Sequence, residues 1–304
     1  MHALRVILAF SLAFSMAACS SKPKRTKNRS SDHSNAGVTG TSPTRRASST
    51  PSGTAFLTAL GRIEAGDATR KVVRFSDTTA LNGLGAEWKA LAGYGTHSAS
   101  PGEGYGINHT TATYAVTAGT GPIVTVLAGG QDPATVQAAL TAKGWTADGD
   151  RLIAPKQSAD RAAGVYPVVR AIGSDVLIGS AGATLDVVSA ARSLAGDPVP
   201  RSLADCLGGV VVAHYASTAT GAVAVGTLRP SSDAKIHAVV CSAAASPAAA
   251  EQSAAAQRTA YGSGTAPLAN ATVTVTGSVV RVDGVVTGPK VVLDAFTRSA
   301  LPGL

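Results

Sequence analysis

An α+β fold is what the sequence predicts, built as two tandem similar units of antiparallel sheet with helices packed on one face. Three observations predict it. Helix-spaced and strand-spaced apolar patterns alternate from residue 54 onward. Pairs of strand patterns meet across glycine turns, at residues 119–121 and again at Gly277-Ser278. The order strand–strand–helix–strand–strand–helix occurs twice, with Pro133 and Pro247 separated by 114 residues and Gly173 and Gly277 by 104. Offsets that similar are what a duplicated unit with small loop insertions gives, and such a unit buries one sheet face under its helices.

The elements follow in order. Ala55, Phe56, Leu57, Leu60 and Ile63 have helical spacing, residues 71–75 read as a strand, and residues 78–91 as a second helix. After a Gly-rich loop through Asn108, residues 111–117 and 122–128 form a hairpin. Asp132-Pro133 starts a helix, because Asp caps free N–H groups and Pro suits the first turn; Gly144 ends it. Residues 151–154, 165–172 and 175–179 are strand-like. Residues 184–194 read as a helix with Leu185, Val188 and Ala191 on one side. In the later part, residues 210–215, 222–228 and 235–241 are strand-like, and Ser246-Pro247 opens an Ala-rich helix to about Thr259. Residues 271–276 and 279–286 make the closing hairpin, and residues 288–301 the last helix, with Leu293-Asp294 set against Leu185-Asp186.

The chain has 304 residues, of which 45% are hydrophobic, 14% charged and 4% aromatic, which excludes a disordered, collagen-like or disulfide-dense chain. Its net charge of +8 is concentrated near the N-terminus. Residues 20–53 carry Lys22, Lys24, Arg25, Lys27, Arg29, Arg45 and Arg46 against Asp32 alone. The remainder is nearly neutral, so no footprint for a nucleic acid is expected. Residues 20–53 are rich in Ser, Thr, Pro and basic residues and hold almost no large apolar side chain. Such a stretch cannot offset its ordering entropy and reads as a disordered tether, either a plain spacer or a contact to anionic headgroups. Its Ser/Thr/Pro-dense second part has the composition of O-glycosylated stalks.

Residues 1–18 have the layout of an export signal: His2 and Arg5, an apolar stretch over 6–14, then small residues. Met16-Ala17-Ala18-Cys19 resembles the lipobox of bacterial lipoproteins, with Met16 where Leu is commoner. The resemblance implies cleavage before Cys19, a diacylglyceryl-modified and acylated Cys19, and an extracytoplasmic protein held on the cell membrane by lipid. An ordinary secretory signal that leaves a free Cys19 thiol is the alternative. No apolar run remains after the leader that is long enough to span a bilayer. The expected organisation is therefore a signal peptide over 1–18, a lipidated tether over 19–53, and α+β units over 54–201 and 202–304. Tyr114-Ala115-Val116-Thr117-Ala118-Gly119, followed by Val124-Thr125-Val126-Leu127-Ala128-Gly129-Gly130, is similar to phrases in secreted lipoproteins of high-GC Gram-positive bacteria. That group brings no known activity or catalytic residue to transfer.

Two cysteines remain. Cys206 and Cys241 in an exported chain read as a disulfide, with two buried reduced thiols as the competing reading. No Cys-x-x-Cys supports a zinc or thioredoxin-like site. Gly102-Glu103-Gly104-Tyr105-Gly106 lacks the strand before and helix after that a dinucleotide loop needs. Ser232-Asp233-Ala234-Lys235 has Ser-x-x-Lys spacing but falls in a hairpin turn without a companion Lys-Thr-Gly. Ile178-Gly179-Ser180-Ala181-Gly182 misses the first glycine of a nucleophile elbow. His97, His109, His214 and His237 show no metal-ligand spacing. Trp88 and Trp145 read as caps on the core of the first unit, or as a sugar-stacking ring where exposed. The expectation is a non-catalytic binding or scaffolding lipoprotein of the cell envelope, with no catalytic residue, metal or cofactor. Its partners would be the membrane, through the lipid, and an unspecified cell-wall or protein partner. A carrier of a hydrophobic or lipid ligand is the alternative, and a cell-wall hydrolase ranks third.

Overall fold

The structure, a computed structural model, describes residues 54–219, 221–230, 235–264 and 266–302. The leader, Cys19, the tether, and Ser232 and Asp233 of the Ser-x-x-Lys stretch lie outside the described residues. The described residues form one compact unit.

The chain is mixed α and β, as the alternating patterns predict, and its sheet is antiparallel throughout. Its strands are β1 (Val72–Ser76), β2 (Tyr114–Ala118), β3 (Val124–Ala128), β4 (Thr146–Asp148), β5 (Arg151–Ile153), β6 (Val168–Ile172), β7 (Asp175–Gly179), β8 (Val210–Thr218), β9 (Gly221–Leu228), β10 (Ile236–Ala243), β11 (Ala269–Thr276) and β12 (Val279–Val286). They join in a single sheet ordered β11-β12-β10-β9-β8-β1-β2-β3-β7-β6-β5-β4. The expectation of separate antiparallel sheets gives way to one continuous twelve-stranded sheet, because β1 pairs with β8 as well as with β2.

The helices are α1 (Ala55–Leu60), α2 (Thr78–Asn82), α3 (Ala86–Lys89), α4 (Pro133–Ala142), α5 (Arg161–Val165), α6 (Pro198–Leu207), α7 (Pro247–Gly262) and α8 (Val291–Thr297). Side-chain caps start most of them. Asp132, Asp197 and Ser246, each just before a proline, accept from the backbone N–H groups of Ala134, Val199 and Ala249. The expected helix over 78–91 is two short ones, broken at Gly83 and Gly85. The expected helix over 184–194 is absent. Leu185 and Leu194 are fully buried there, but the chain between them holds only a short 3-10 turn at Ala190–Arg192. The match of Leu293-Asp294 to Leu185-Asp186 therefore fails.

Helices cover both faces of the sheet, which corrects the one-face expectation. Alternate strand residues divide between the faces. On the front face, α1 and α6 lie over Val73, Phe75, Val116 and Val126 of the early strands and Ala213, Tyr215, Ala224 and Val239 of the later ones. These make one continuous core, in which Phe56 and Phe75 stack with ring centres 5.3 Å apart. The back face is divided. Trp88, Val212, Val225, Val240, Val282 and Leu293 belong to one core, and Ala115, Leu127, Leu140, Trp145, Tyr166 and Ile178 to another. Trp145 caps the core under α4 as expected, whereas Trp88 packs with strands of the later half.

Cys206, on α6, and Cys241, on β10, are joined in a disulfide with Cα atoms 6.2 Å apart. The bond pins α6 to the front face. Arg281 of β12 donates to the Cys206 carbonyl beside it and forms a two-pronged ion pair with Asp283, at 2.7 and 2.6 Å. The expected placement of Cys206 just before a strand is right, but the helix that carries it was not foreseen.

Candidate functional site

A row of polar side chains separates the two larger back-face cores. Strand register sets Thr125 of β3 beside Thr117 of β2, Thr117 beside Arg74 of β1, and Arg74 beside His214 of β8. Polar groups placed so deep must be hydrogen-bonded to be tolerated. Most are. Thr117 donates to the Gly95 carbonyl at 2.9 Å, so the contact at 2.7 Å between the two threonines takes the Thr125 hydroxyl as donor. Ser76 donates to the Ala92 carbonyl at 2.8 Å and accepts from the Gly95 N–H at 3.1 Å. His214 Nδ1 and the Tyr94 hydroxyl share a hydrogen bond of 2.9 Å, and the His214 ring meets Phe296 of α8 edge-on, with centres 4.9 Å apart.

The loop over residues 92–100 lids this seam because Gly95 lets its backbone lie flat on the sheet. A Cβ on Gly95 would sit 2.1 Å from the Ala115 carbonyl oxygen. Farther along the loop, the His97 ring packs edge-on against Tyr166, with centres 5.5 Å apart. The Tyr166 and Ser100 hydroxyls are both buried and lie close together.

Charge in the seam is one-sided. Arg74 is half-buried, has no carboxylate partner among the described residues, and its Nε is buried without a hydrogen bond. Burial, and next the Arg74 charge, push the His214 imidazole down to about 4, so it is neutral at physiological pH. Burial pushes the hydroxyls of Tyr94 and Tyr166 up to about 12, with Arg74 opposing the shift. His97 is lowered by burial, then by Arg74 and Arg161. Asp294 acts on Tyr94 from the exposed side of α8. Within the sheet itself the seam thus holds one cation, Arg74, beside the neutral His214 ring and hydroxyls bonded inside the protein.

Beyond Phe296 the back face opens into a cleft of about 790 Å³. The ends of β8, β9 and β10 form its floor, including Ala216, Val223 and Ser242, with Ala249 and Ser253 of α7 on one side and Phe296 and Leu301 on the other. Ser242 and Ser253 each lie near the buried Gln257 amide, which donates to their hydroxyls at 3.3 and 3.2 Å. The Gln257 carbonyl oxygen is buried without a partner. A second cleft, of about 460 Å³, opens on the front face beside Glu64, Pro122 and Thr184; its Glu64 carboxylate is taken by Arg192.

The residues singled out from sequence scatter over this frame. Cys206 and Cys241 come together. His214 is buried in the seam, His97 sits in its lid, His109 Nε2 contacts the Pro101 carbonyl at 2.8 Å, and His237 lies on β10. Residues 102–106 hold only a 3-10 turn ending in Gly106 at φ 71°. Among the described residues, no three His, Cys, Asp or Glu side chains converge as a metal site, and no helix is long and apolar enough to cross a membrane. Arg74 was not foreseen. Its signal was a lone charge inside the apolar run Val72-Val73-Arg74-Phe75. Comparison with known proteins gives no match: no family model, curated protein or solved structure corresponds to this chain.

Proposed function

We propose that the chain is an extracytoplasmic lipoprotein, anchored to the cell membrane through Cys19, whose body has a non-catalytic binding role at the envelope. The anchoring half of this reading rests on the export signal and the sequence Met16-Ala17-Ala18-Cys19. The binding half rests on the back-face cleft. Its volume falls within the usual range for small-molecule sites, and it combines apolar walls with a few hydroxyls.

Membrane fractionation tests the anchor. Cys19→Ala is expected to leave the chain unprocessed or to release it from membranes; tight membrane association of a correctly cleaved Cys19→Ala chain would reject lipid anchoring. For the cleft, Ala249→Phe adds a ring at its wall and is expected to abolish one-to-one binding of an apolar fluorescent probe. Equal probe binding by both proteins would reject the cleft as the binding element. The apolar lining also favours carriage of a hydrophobic or lipid ligand as the second reading. Co-purification of a stoichiometric lipid, seen by native mass spectrometry and lost in Ala249→Phe, would select it.

The body itself reads as two tandem similar units. The sheet order β1-β2-β3-β7-β6 is matched by β8-β9-β10-β12-β11, each preceded by a front-face helix, α1 or α6. Following the register outward from the β1–β8 pair sets Thr117 against Val225, Thr125 against Val240 and Ile178 against Val282. α4 and α7 then occupy the same step, with β4, β5 and α5 as an insertion in the first unit. Residue 201 lies inside α6, so this reading moves the boundary from 201/202 to just before Pro198.

A further inference from the structure

We propose that β11 is an interface between two copies of this chain, which pair edge to edge about a two-fold axis at Thr274 and continue the sheet from one copy into the other. The two ends of the sheet are built differently. β4 has three residues, all exposed, and ends in the charged Asp148. Short, charged edges of that kind resist pairing. β11 runs for eight residues, Ala269–Thr276, with no charged residue and no proline. Among the described residues, no strand pairs with its outer side. Its register with β12 shifts between Ala269 and Thr272, so the regular stretch is residues 272–276.

That stretch is self-complementary. Thr276 and Val279 close a two-residue turn over Gly277 and Ser278, so Thr276, Thr274 and Thr272 direct their backbone groups to β12. The N–H and C=O groups of Val273 and Val275 therefore point outward. Antiparallel pairing centred on Thr274 sets Val273 of one copy opposite Val275 of the other, where those groups bond to each other, and Thr272 opposite Thr276. The three exposed threonines then make a ladder of favourable cross-strand pairs on the front face. A two-fold dimer needs such a patch, since one surface serves both partners.

α7 supplies charge complementarity about the same axis. Its Ala250 and Ala254 pack with Val273 and Val275 of β11 and Val280 of β12, which sets the middle of the helix level with Thr274. Ala250, Ala254, Gln257 and Tyr261 face the sheet, and Ala249 and Ser253 line the cleft on the inner side. At about 100° per residue, the flank toward the open edge carries Glu251, Ala255 and Arg258, all exposed. Neither charge has an ionic partner among the described residues. The axis lays the two α7 helices side by side and antiparallel. Strands about 4.8 Å apart place helices lying over β11 and β12 roughly 10 Å from each other, an ordinary packing distance. Glu251 of each copy then meets Arg258 of the other. This flank of α7 faces away from the cleft, so failure of the Ala249→Phe test leaves the inference standing.

Sedimentation equilibrium of the full chain in a density-matched detergent tests it. A reversible dimer is expected. Thr274→Lys opposes two lysines across the axis and is expected to weaken the dimer about tenfold or more. Glu251→Arg and Arg258→Glu each set like charges together and are expected to weaken it a few-fold, while the double variant Glu251→Arg/Arg258→Glu recovers it. Recovery in the double variant also shows that the single variants fold. Should Thr274→Lys fail to fold, the charge exchange decides alone. Single chains at every concentration, a dimer that folded Thr274→Lys leaves unchanged, or charge reversals without recovery in the double variant would overturn the proposal.

Discussion

His214 is a histidine that folding keeps uncharged. Its folded value of about 4 lies below the ordinary 6.5, so the unfolded chain takes up the proton first as pH falls. The stabilisation is therefore fully present above about pH 6.5 and is lost progressively down to about pH 4, on the order of 3 kcal/mol in all. Urea unfolding at pH 7 and pH 4 should show wild type losing more stability than His214→Asn by roughly that amount. Equal losses would mean that the imidazole is not held neutral. Gly95 supplies a second expectation at this scale. Gly95→Ala forces a Cβ against the Ala115 carbonyl and the Ser76 nitrogen, breaking the contact that seats the lid. It should cost about 2 kcal/mol or more and expose the Ser76 and Thr117 hydroxyls to solvent, read as faster amide exchange in β1 and β2.

Among the elements, the disulfide between α6 and β10 closes a 35-residue separation. Replacing both Cys206 and Cys241 by Ser should destabilise the body by about 4 kcal/mol, measured by denaturant unfolding. Helices and hairpins with strong local chemistry were legible in the sequence. The Ser246-Pro247 start of α7 and the glycine turn between β11 and β12 hold where expected, because caps and turns are decided by a few adjacent residues. α6 escaped although Asp197-Pro198 repeats the Asp-Pro start of α4, and Leu203, Ala204 and Leu207 mark its buried face. Residues 184–194 deceived in the other direction. Leu185 and Leu194 are anchors of an irregular segment on the front core, and apolar spacing alone does not distinguish such anchors from one face of a helix. The seam was illegible for a further reason. Arg74, Thr117 and His214 become neighbours only through strand pairing, which no local pattern announces.

At the scale of the whole molecule, the front core joins early and late strands without a break, while the back face holds three separate cores, the smallest of them under α7. The halves therefore share the largest of the cores, and the described body should unfold in a single transition. Calorimetry on the full chain would show it; two separated heat-absorption peaks from the body would contradict it.

The β1–β8 pair also sets an order of events. Arg74 and His214 face each other across that pair though they are 140 positions apart in the chain. The hairpins β2–β3, β6–β7 and β11–β12 close within a few residues and form quickly, whereas β1 waits for β8 with one edge bare. A chain emerging N-terminus first carries that unpaired edge until α6 and β8 arrive. In that interval it is a template for a strand from another copy. Crowding of nascent chains should therefore favour exchange of the later strands between neighbours over the closed monomer.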